Sequence, residues 1–470
     1  MSERTPVDCA TTSVHNARRP GDGGIVGNSG AGRREPGRPG TTTLPSVDGS
    51  LALFDPAILA DPYPRYEHLR SAAPIYWNPT PGYWVLTRYA DALLLLRDPR
   101  FSADRVASLE HLRDIGLEEF AALFRVVSKM MLFTDPPAHT RLRSLVSKAF
   151  TPRAVDALRS RIQGIVDDLL ENRRDQDSMD IIRDLAYPLP TIVIAALLGV
   201  PAADQEHLKA WSDDVAAFLG NLSTTTEQKR RAQHSIAELR KYFQAIGGTR
   251  HAGPSGMPRE PVDLLHALAG TEDQNDRLTE EEALANAILL LAAGHETTTN
   301  LIGNGLLALL RHPDQIERLR QSPELIDNAV EELLRYDSPV QMVGRRATDD
   351  IHFQNHRIRR DQLVIVVLGA ANRDPARFAE PDQLDIGRSD IGTLAFGRGN
   401  HFCLGAPLAR LEARIAIATI LRRFPHLELT AASPQWRSNF ALRGLQTLSV
   451  RLHGPGRGSG RPRMHPRTET

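Results

Sequence analysis

The stretch FGRGNHFCLG, residues 396–405, sets Cys403 two residues after His401 and among Gly397, Gly399 and Gly405. A cysteine thiolate can be a nucleophile, a redox sensor or a metal ligand, and each role needs the anion stabilised. LGAPLARLEARIAIATILRRF follows directly and has the pattern of an amphipathic helix. The sulfur would then sit at a helix N-terminus, where backbone N–H groups and the macrodipole favour negative charge. The glycines would let backbone approach a flat ligand, and His401 could donate to an acidic group on it. An inert thiol buried after a glycine-rich turn is the plainer alternative. Zinc would need about four Cys or His ligands at close spacing, and the second cysteine of the chain is the remote Cys9. Nothing in the chain resembles a papain-like nucleophile signature.

A second candidate group is AGHETT, residues 293–298, where Glu296 and Thr297 put a carboxyl beside a hydroxyl. Such a pair can organise water for proton relay, and Gly294 would leave room for a small ligand. A threonine bonded back to the preceding helical turn would give the same letters without chemistry. His295-Glu296 opens the H-E-x-x-H pattern of zinc proteases, but position 299 is Thr, which breaks it. EELLR places Glu332 and Arg335 three apart on one helix face.

These residues need elements to hold them. The run 279–314 opens with a capping box, Thr279 to Glu282, and ends before Pro313, which predicts an unbroken helix of about 32 residues, roughly 48 Å. Its middle is apolar on nearly every side, so it should be central. Residues 151–174 show apolar positions at helical spacing after a Thr-Pro start. Strand patterns are fewer, at 82–87, 356–370 and 445–452. The expected class is mainly α with small β-sheets. Residues 1–48 and 454–470 are rich in Gly, Pro and Arg and are read as disordered extensions of a folded body at 49–453, and 251–261 as a loop.

Composition narrows the partners. The 57 basic and 57 acidic side chains give no charge excess for a dedicated nucleic-acid binder. Two cysteines argue against a disulfide framework and for a reducing, cytoplasmic setting. The first residues lack a secretory h-region. TIVIAALLGV, residues 191–200, is bounded by Pro190 and Pro201 and is too short to span a membrane.

FGRGNHFCLG resembles the haem-thiolate signature of the cytochrome P450 family, Phe-x-x-Gly-x-His-x-Cys-x-Gly, met at Phe396, Gly399, His401, Cys403 and Gly405. The resemblance implies the cytochrome P450 fold, heme b (iron protoporphyrin IX) as cofactor and Cys403 as the iron's ligand. It makes AGHETT similar to the family's oxygen-activating motif, with Glu296 and Thr297 as the catalytic acid and alcohol. DPPAHTRLRSLVSKAF (135–150) resembles the haem-flanking helix, so His139 and Arg143 would clamp one haem propionate. Arg345 in VGRRATDD would contact the other, in preference to Arg346. Ala293, Phe396 and Gly397 join His401 and Gly405 as implied haem contacts. Glu332 and Arg335 resemble the family's buried pair beneath the haem, which a later Pro-Asp-Arg-Phe segment completes. Here that segment reads EPDQLD, with Gln383 and Leu384 in the places of Arg and Phe. The usual third, charged partner is therefore missing from its place. ANRDP (371–375) is a further familiar segment.

The implied activity is a monooxygenase that reduces dioxygen and hydroxylates an apolar small molecule, by family analogy one of secondary metabolism. With no flavin motif and no cysteines for a cluster, electrons would come from a separate ferredoxin and its reductase, or a flavodoxin. Arg141, Lys148, Arg410 and Arg414 could form its docking patch or be solubilising charges. Substrate contacts are expected from 101–128, from Leu290, Ala293 and Thr297, and from Val340 to Val343. Ring coupling, desaturation or peroxide-driven oxidation would be rival outcomes, and a haem-thiolate gas or redox sensor the rival without turnover.

Overall fold

The structure, a computed structural model, describes residue 53 and residues 58–80, 82–106, 116–221, 224–250, 278–430 and 434–453. All of these belong to the compact unit 44–470. The amino-terminal extension with Cys9, the tail from 454, the loop 251–261 and residues 107–115 of the substrate region lie outside the described residues.

The expected long helix is present as Glu280–Arg311. Thr279 accepts from the Glu282 N–H while the Glu282 side chain accepts from the Thr279 N–H, so two of the helix's orphan donors are satisfied. Glu280, Glu281 and Glu282 in the first turn and Arg311 in the last suit the helix dipole. Apolar residues all round this helix bury it against the helices Pro188–Leu197, Gln205–Leu219, Ile326–Tyr336 and Ala406–Arg423. The pattern at 151–174 forms two helices instead of one, Pro152–Asp156 and Arg159–Glu171, and both lie on the helix Ala406–Arg423. Thr151 caps the first, accepting from the Ala154 N–H.

The main sheet runs Ile75–Asn78, Tyr83–Leu86, Leu363–Val367, Met342–Ala347 and Phe101–Ser102 in spatial order. Tyr83–Leu86 pairs parallel to Leu363–Val367, and the other pairs are antiparallel. The strand pattern at 356–370 resolves into His356–Ile358, Leu363–Val367 and a short helix Leu368–Ala371. Asp361, with φ of 65°, makes the turn that separates the strands. Met342–Ala347 is a strand that the sequence pattern did not give, since Gly344, Arg345 and Arg346 break its apolar character. Its register, Arg345 opposite Val364, fixes where Val343 and Arg345 can point. No described helix is long and apolar enough to cross a membrane.

Candidate active site

Cys403 lies just before the helix Ala406–Arg423, as expected. Its sulfur accepts from the N–H groups of Gly405 and Ala406, and Arg143 and Arg410 add positive potential. Burial outweighs them and pushes the thiol up, so an anionic sulfur here calls for a bound cation. The Cys403 N–H donates to Phe396 O at 2.9 Å and closes the loop on itself. Gly397 and Gly399 have φ of 69° and 74°. A Cβ at Gly399 would stand 2.4 Å from Leu96 O. Gly399 therefore lets the loop pass under Leu96, which corrects its reading as clearance for a ligand. A Cβ at Gly405 would meet nothing within 4 Å, so that face is open to a planar group.

A cluster of basic side chains gathers beside this loop. The helix Ala138–Ser147 carries His139 and Arg143 one turn apart, and the His139 ring lies 4.1 Å from that of His401. His139 Nε2 is buried and has no hydrogen-bond partner. Arg345 donates to Gly344 O at 2.8 Å. Arg105 donates to the same carbonyl at 2.8 Å and stacks over Phe133. Burial lowers both arginines to about 10. Burial first, and then Arg345, lowers His401 to about 3, which leaves its ring neutral. The acid of the neighbourhood, Asp135, already accepts from Ser102 Oγ and the Ala103 N–H. Of the three guanidinium groups only Arg345 feels that carboxylate, while Arg105 is offset by Asp104 and Arg143 by Cys403, so the cluster calls for further anions.

Arg105 is the residue that sequence reasoning missed as a basic group, because it fell within the region assigned to substrate. No local motif marks it. The pairing of Phe101 with Ala347 and of Ser102 with Arg346 brings it to Gly344.

The donor set fits an iron porphyrin. No group of three or more His, Cys, Asp or Glu among the described residues could hold a metal ion, so an iron bound at Cys403 must bring most of its ligands with it. Two ring carboxylates would supply the anions that Arg105, Arg143, Arg345 and the unpartnered His139 Nε2 lack.

The long helix is buried along most of its length, yet Leu290, Gly294 and Thr297 are half-buried and Ala293 is exposed. They share one face, so this stripe is the part of the helix that its neighbours leave least covered. At Gly294 a Cβ would come 3.0 Å from Ile194 Cγ1. That glycine admits the helix Pro188–Leu197, a correction to its reading as room for a small ligand, and Ala293 is the open position. Thr297 Oγ1 donates to Ala293 O at 3.0 Å, so the back-bond is present while the oxygen can still accept. Glu296 is 6% exposed and burial raises its pKa, against the pull of Arg437 and His295. Arg437 lies 3.5 Å from its carboxylate. His295 contacts Asp213 Oδ1 and Leu291 O, each at 3.0 Å, and Ser212 Oγ, which fastens the helix Gln205–Leu219 to the long helix. Val340 and Val343 are half-buried on and beside the strand that carries Arg345.

Glu332 and Arg335 form a fully buried two-pronged pair at 2.7 and 2.8 Å. The charge missing at Gln383 is supplied by Arg388, whose Nε lies 3.2 Å from Glu332 Oε2. Gln383 contributes its backbone carbonyl to Arg335 at 3.0 Å. Of the four basic residues expected at a docking patch, Arg410 is paired with Glu331, Arg414 with Asp327 and Arg141 with Glu282. Such pairing leaves less net positive charge on that surface than the sequence implied.

Residues 121–444 match the protein-family model described as Cytochrome P450. The cytochrome P450 monooxygenase PikC of Streptomyces venezuelae is 42% identical over 431 residues, 90% of this chain and 98% of the relative. The polyketide biosynthesis cytochrome P450 PksS of Bacillus subtilis (strain 168) is 40% identical over 374 residues, 78% of this chain and 89% of the relative. Among solved structures, P450BioI in complex with hexadec-9Z-enoic acid ligated acyl carrier protein aligns with a TM-score of 0.78 at 38% identity, covering 84% of this chain and 99% of that one.

Proposed function

The chain belongs to the cytochrome P450 family and is a haem-thiolate monooxygenase, and from that premise we propose that it hydroxylates an apolar small molecule of secondary metabolism with electrons from a separate ferredoxin or flavodoxin. When bound, heme b supplies dioxygen binding and the redox chemistry of oxygen insertion. Cys403 would ligate its iron, with the N–H groups of Gly405 and Ala406 supporting the thiolate. His139, Arg143, Arg345 and the added Arg105 would hold its carboxylates, with His401 as a further donor.

The observation that carries the reading is the accessible stripe Leu290, Ala293 and Thr297 on a helix otherwise buried, with the enclosed Glu296 next in chain to Thr297. Leu290, Ala293, Val340 and Val343 would pack an apolar ligand and exclude water from it. The Thr297 hydroxyl, fixed by Ala293 O, presents its oxygen in one orientation to accept and pass a proton that Glu296 supplies. The polyketide role named for PksS and the fatty acyl chain in the P450BioI structure favour a substrate of that predominantly apolar kind.

The test is Thr297→Ala, assayed with a ligand that shifts the haem spin state and with a ferredoxin and its reductase. Product per NADPH should fall and peroxide release rise. Unchanged coupling would remove Thr297 from proton delivery.

A further inference from the structure

A groove of about 470 Å³ lies where the end of the helix Tyr63–Ala72, the strand Ile75–Asn78, the start of the helix Tyr89–Leu95 and the hairpin of Ile351–Phe353 and His356–Ile358 meet. That volume is in the range that holds a small molecule. None of its lining residues belongs to the Cys403 loop, the basic cluster beside it or the stripe on the long helix. Ala73, Pro74, Ile75 and Ala90 give it apolar surface, and its charged lining residues are Arg88 and Asp91.

Asp91 is the group that points to a ligand. It is 6% exposed, yet only one of its carboxylate oxygens is used. Oδ1 accepts from Gln354 Nε2 at 3.1 Å, and Oδ2 has no hydrogen-bond partner among the described residues. Burial pushes the carboxyl up, and Arg88, the Gln354 bond and His356 do not outweigh it. An ionised Asp91 therefore lacks a cation in contact with it. His356 does not supply one, because burial lowers its pKa and its ring packs edge-on against Trp84 at 5.4 Å. Arg88 is exposed and forms no ion pair among the described residues. The Tyr89 N–H is taken by Asp374 Oδ2 at 2.9 Å, so the short helix offers the groove side chains rather than its terminus. The groove thus presents an unused carboxylate oxygen, an unpaired guanidinium and apolar surface beside them.

We propose that this groove is an accessory binding site for a small zwitterion with an apolar body, an amino acid of the phenylalanine or leucine kind, whose ammonium is held by Asp91 and whose carboxylate is held by Arg88. Oδ2 can only accept, and an ammonium supplies the donor it lacks. The guanidinium fork suits a carboxylate. The two protein charges cancel, so a zwitterion answers both without bringing net charge into the groove. An amine alone would leave Arg88 unanswered, and an acid alone would set a second negative charge near a buried Asp91 that still has no cation. The site is separate from the haem pocket, so both can be filled at once.

The experiment uses the holoenzyme with its haem pocket saturated by a ligand that shifts the spin state, so that further binding lies elsewhere. Phenylalanine, phenethylamine and phenylpropanoate are titrated by calorimetry into wild type, Asp91→Asn, Arg88→Gln and Ala90→Trp. Asp91→Asn keeps an oxygen for Gln354 Nε2, and Arg88 and Ala90 are exposed, so all three variants should fold. Phenylalanine should bind wild type roughly tenfold more tightly than either partial analogue, and lose roughly tenfold in Asp91→Asn and again in Arg88→Gln. The amine should weaken in Asp91→Asn alone and the acid in Arg88→Gln alone. Ala90→Trp, which fills the groove, should abolish binding of all three. Failure of phenylalanine to bind wild type would overturn the site, and wild-type affinity in Ala90→Trp would overturn its location. An amine that binds as tightly as phenylalanine, or wild-type affinity for phenylalanine in Asp91→Asn or Arg88→Gln, would overturn the pairing of the two charges.

Discussion

The cysteine side and the open face of the long helix are built on opposite plans. Beneath Cys403, polar groups are held several ways at once. Arg335 spends its donors on Glu332, Asn372 O, Pro381 O and Gln383 O, and Glu332 takes Arg388 and the Asp385 N–H besides. On the helix face, Leu290 and Ala293 carry no polar side-chain atoms, nor do Val340 and Val343 on and beside the strand Met342–Ala347, and Thr297 is held through one bond to its own helix. Chemistry shared by a family demands fixed charges and a fixed loop. Substrate choice needs a wall whose side chains can change without unfolding anything.

The hardest break on the cysteine side is Cys403→Ser. It should abolish the red-shifted Soret band of the reduced, carbon-monoxide-bound holoenzyme and with it turnover. Retention of that band would remove Cys403 as the ligand.

Glu332→Gln comes next, because it strands the Arg335 guanidinium in the core. A loss of about 3–5 kcal/mol is expected in denaturant unfolding. Gln383→Arg, which restores the family's usual letter, should gain less than about 0.5 kcal/mol, since Arg388 already sits 3.2 Å from Glu332. A larger gain would mean that Arg388 is not the substitute.

Gly399→Ala should cost about 1–3 kcal/mol from the left-handed backbone alone. The clash with Leu96 O adds to it, because a carbonyl cannot step aside as a flexible side chain can. Thermal unfolding reads the sum. A neutral result would show that the loop can move off Leu96.

The same contrast explains what the sequence disclosed. Rigid charges and tight turns need particular residues at fixed spacing, so the Cys403 loop, His139 with Arg143, and Glu332 with Arg335 could be read as letters. The long helix was legible because its cap, its apolar girth and Pro313 are all local signals. Arg105 and Arg388 were not legible, since each reaches its partner through chain pairing or a loop path that no spacing rule encodes. Gly294 was misjudged for a related reason. A glycine in a helix says that something comes close, and only the packed structure shows that Ile194 does.

The smallest effect on stability separates two adjacent residues. Ala293→Leu adds atoms on the accessible face, so unfolding should change by no more than about 0.5 kcal/mol. Gly294→Ala puts a methyl group 3.0 Å from Ile194 Cγ1, inside a helix contact. Its overpacking should cost about 1 kcal/mol, offset in part by the better helix propensity of alanine. Binding should respond in the opposite order. Ala293→Leu should weaken the spin-state shift caused by bulky apolar ligands and leave the carbon-monoxide spectrum unchanged, while Gly294→Ala should alter ligand binding less. Equal stability losses in the two variants would show that the face of Ala293 is closed, and the division between a fixed side and an adaptable one would then fail at its centre.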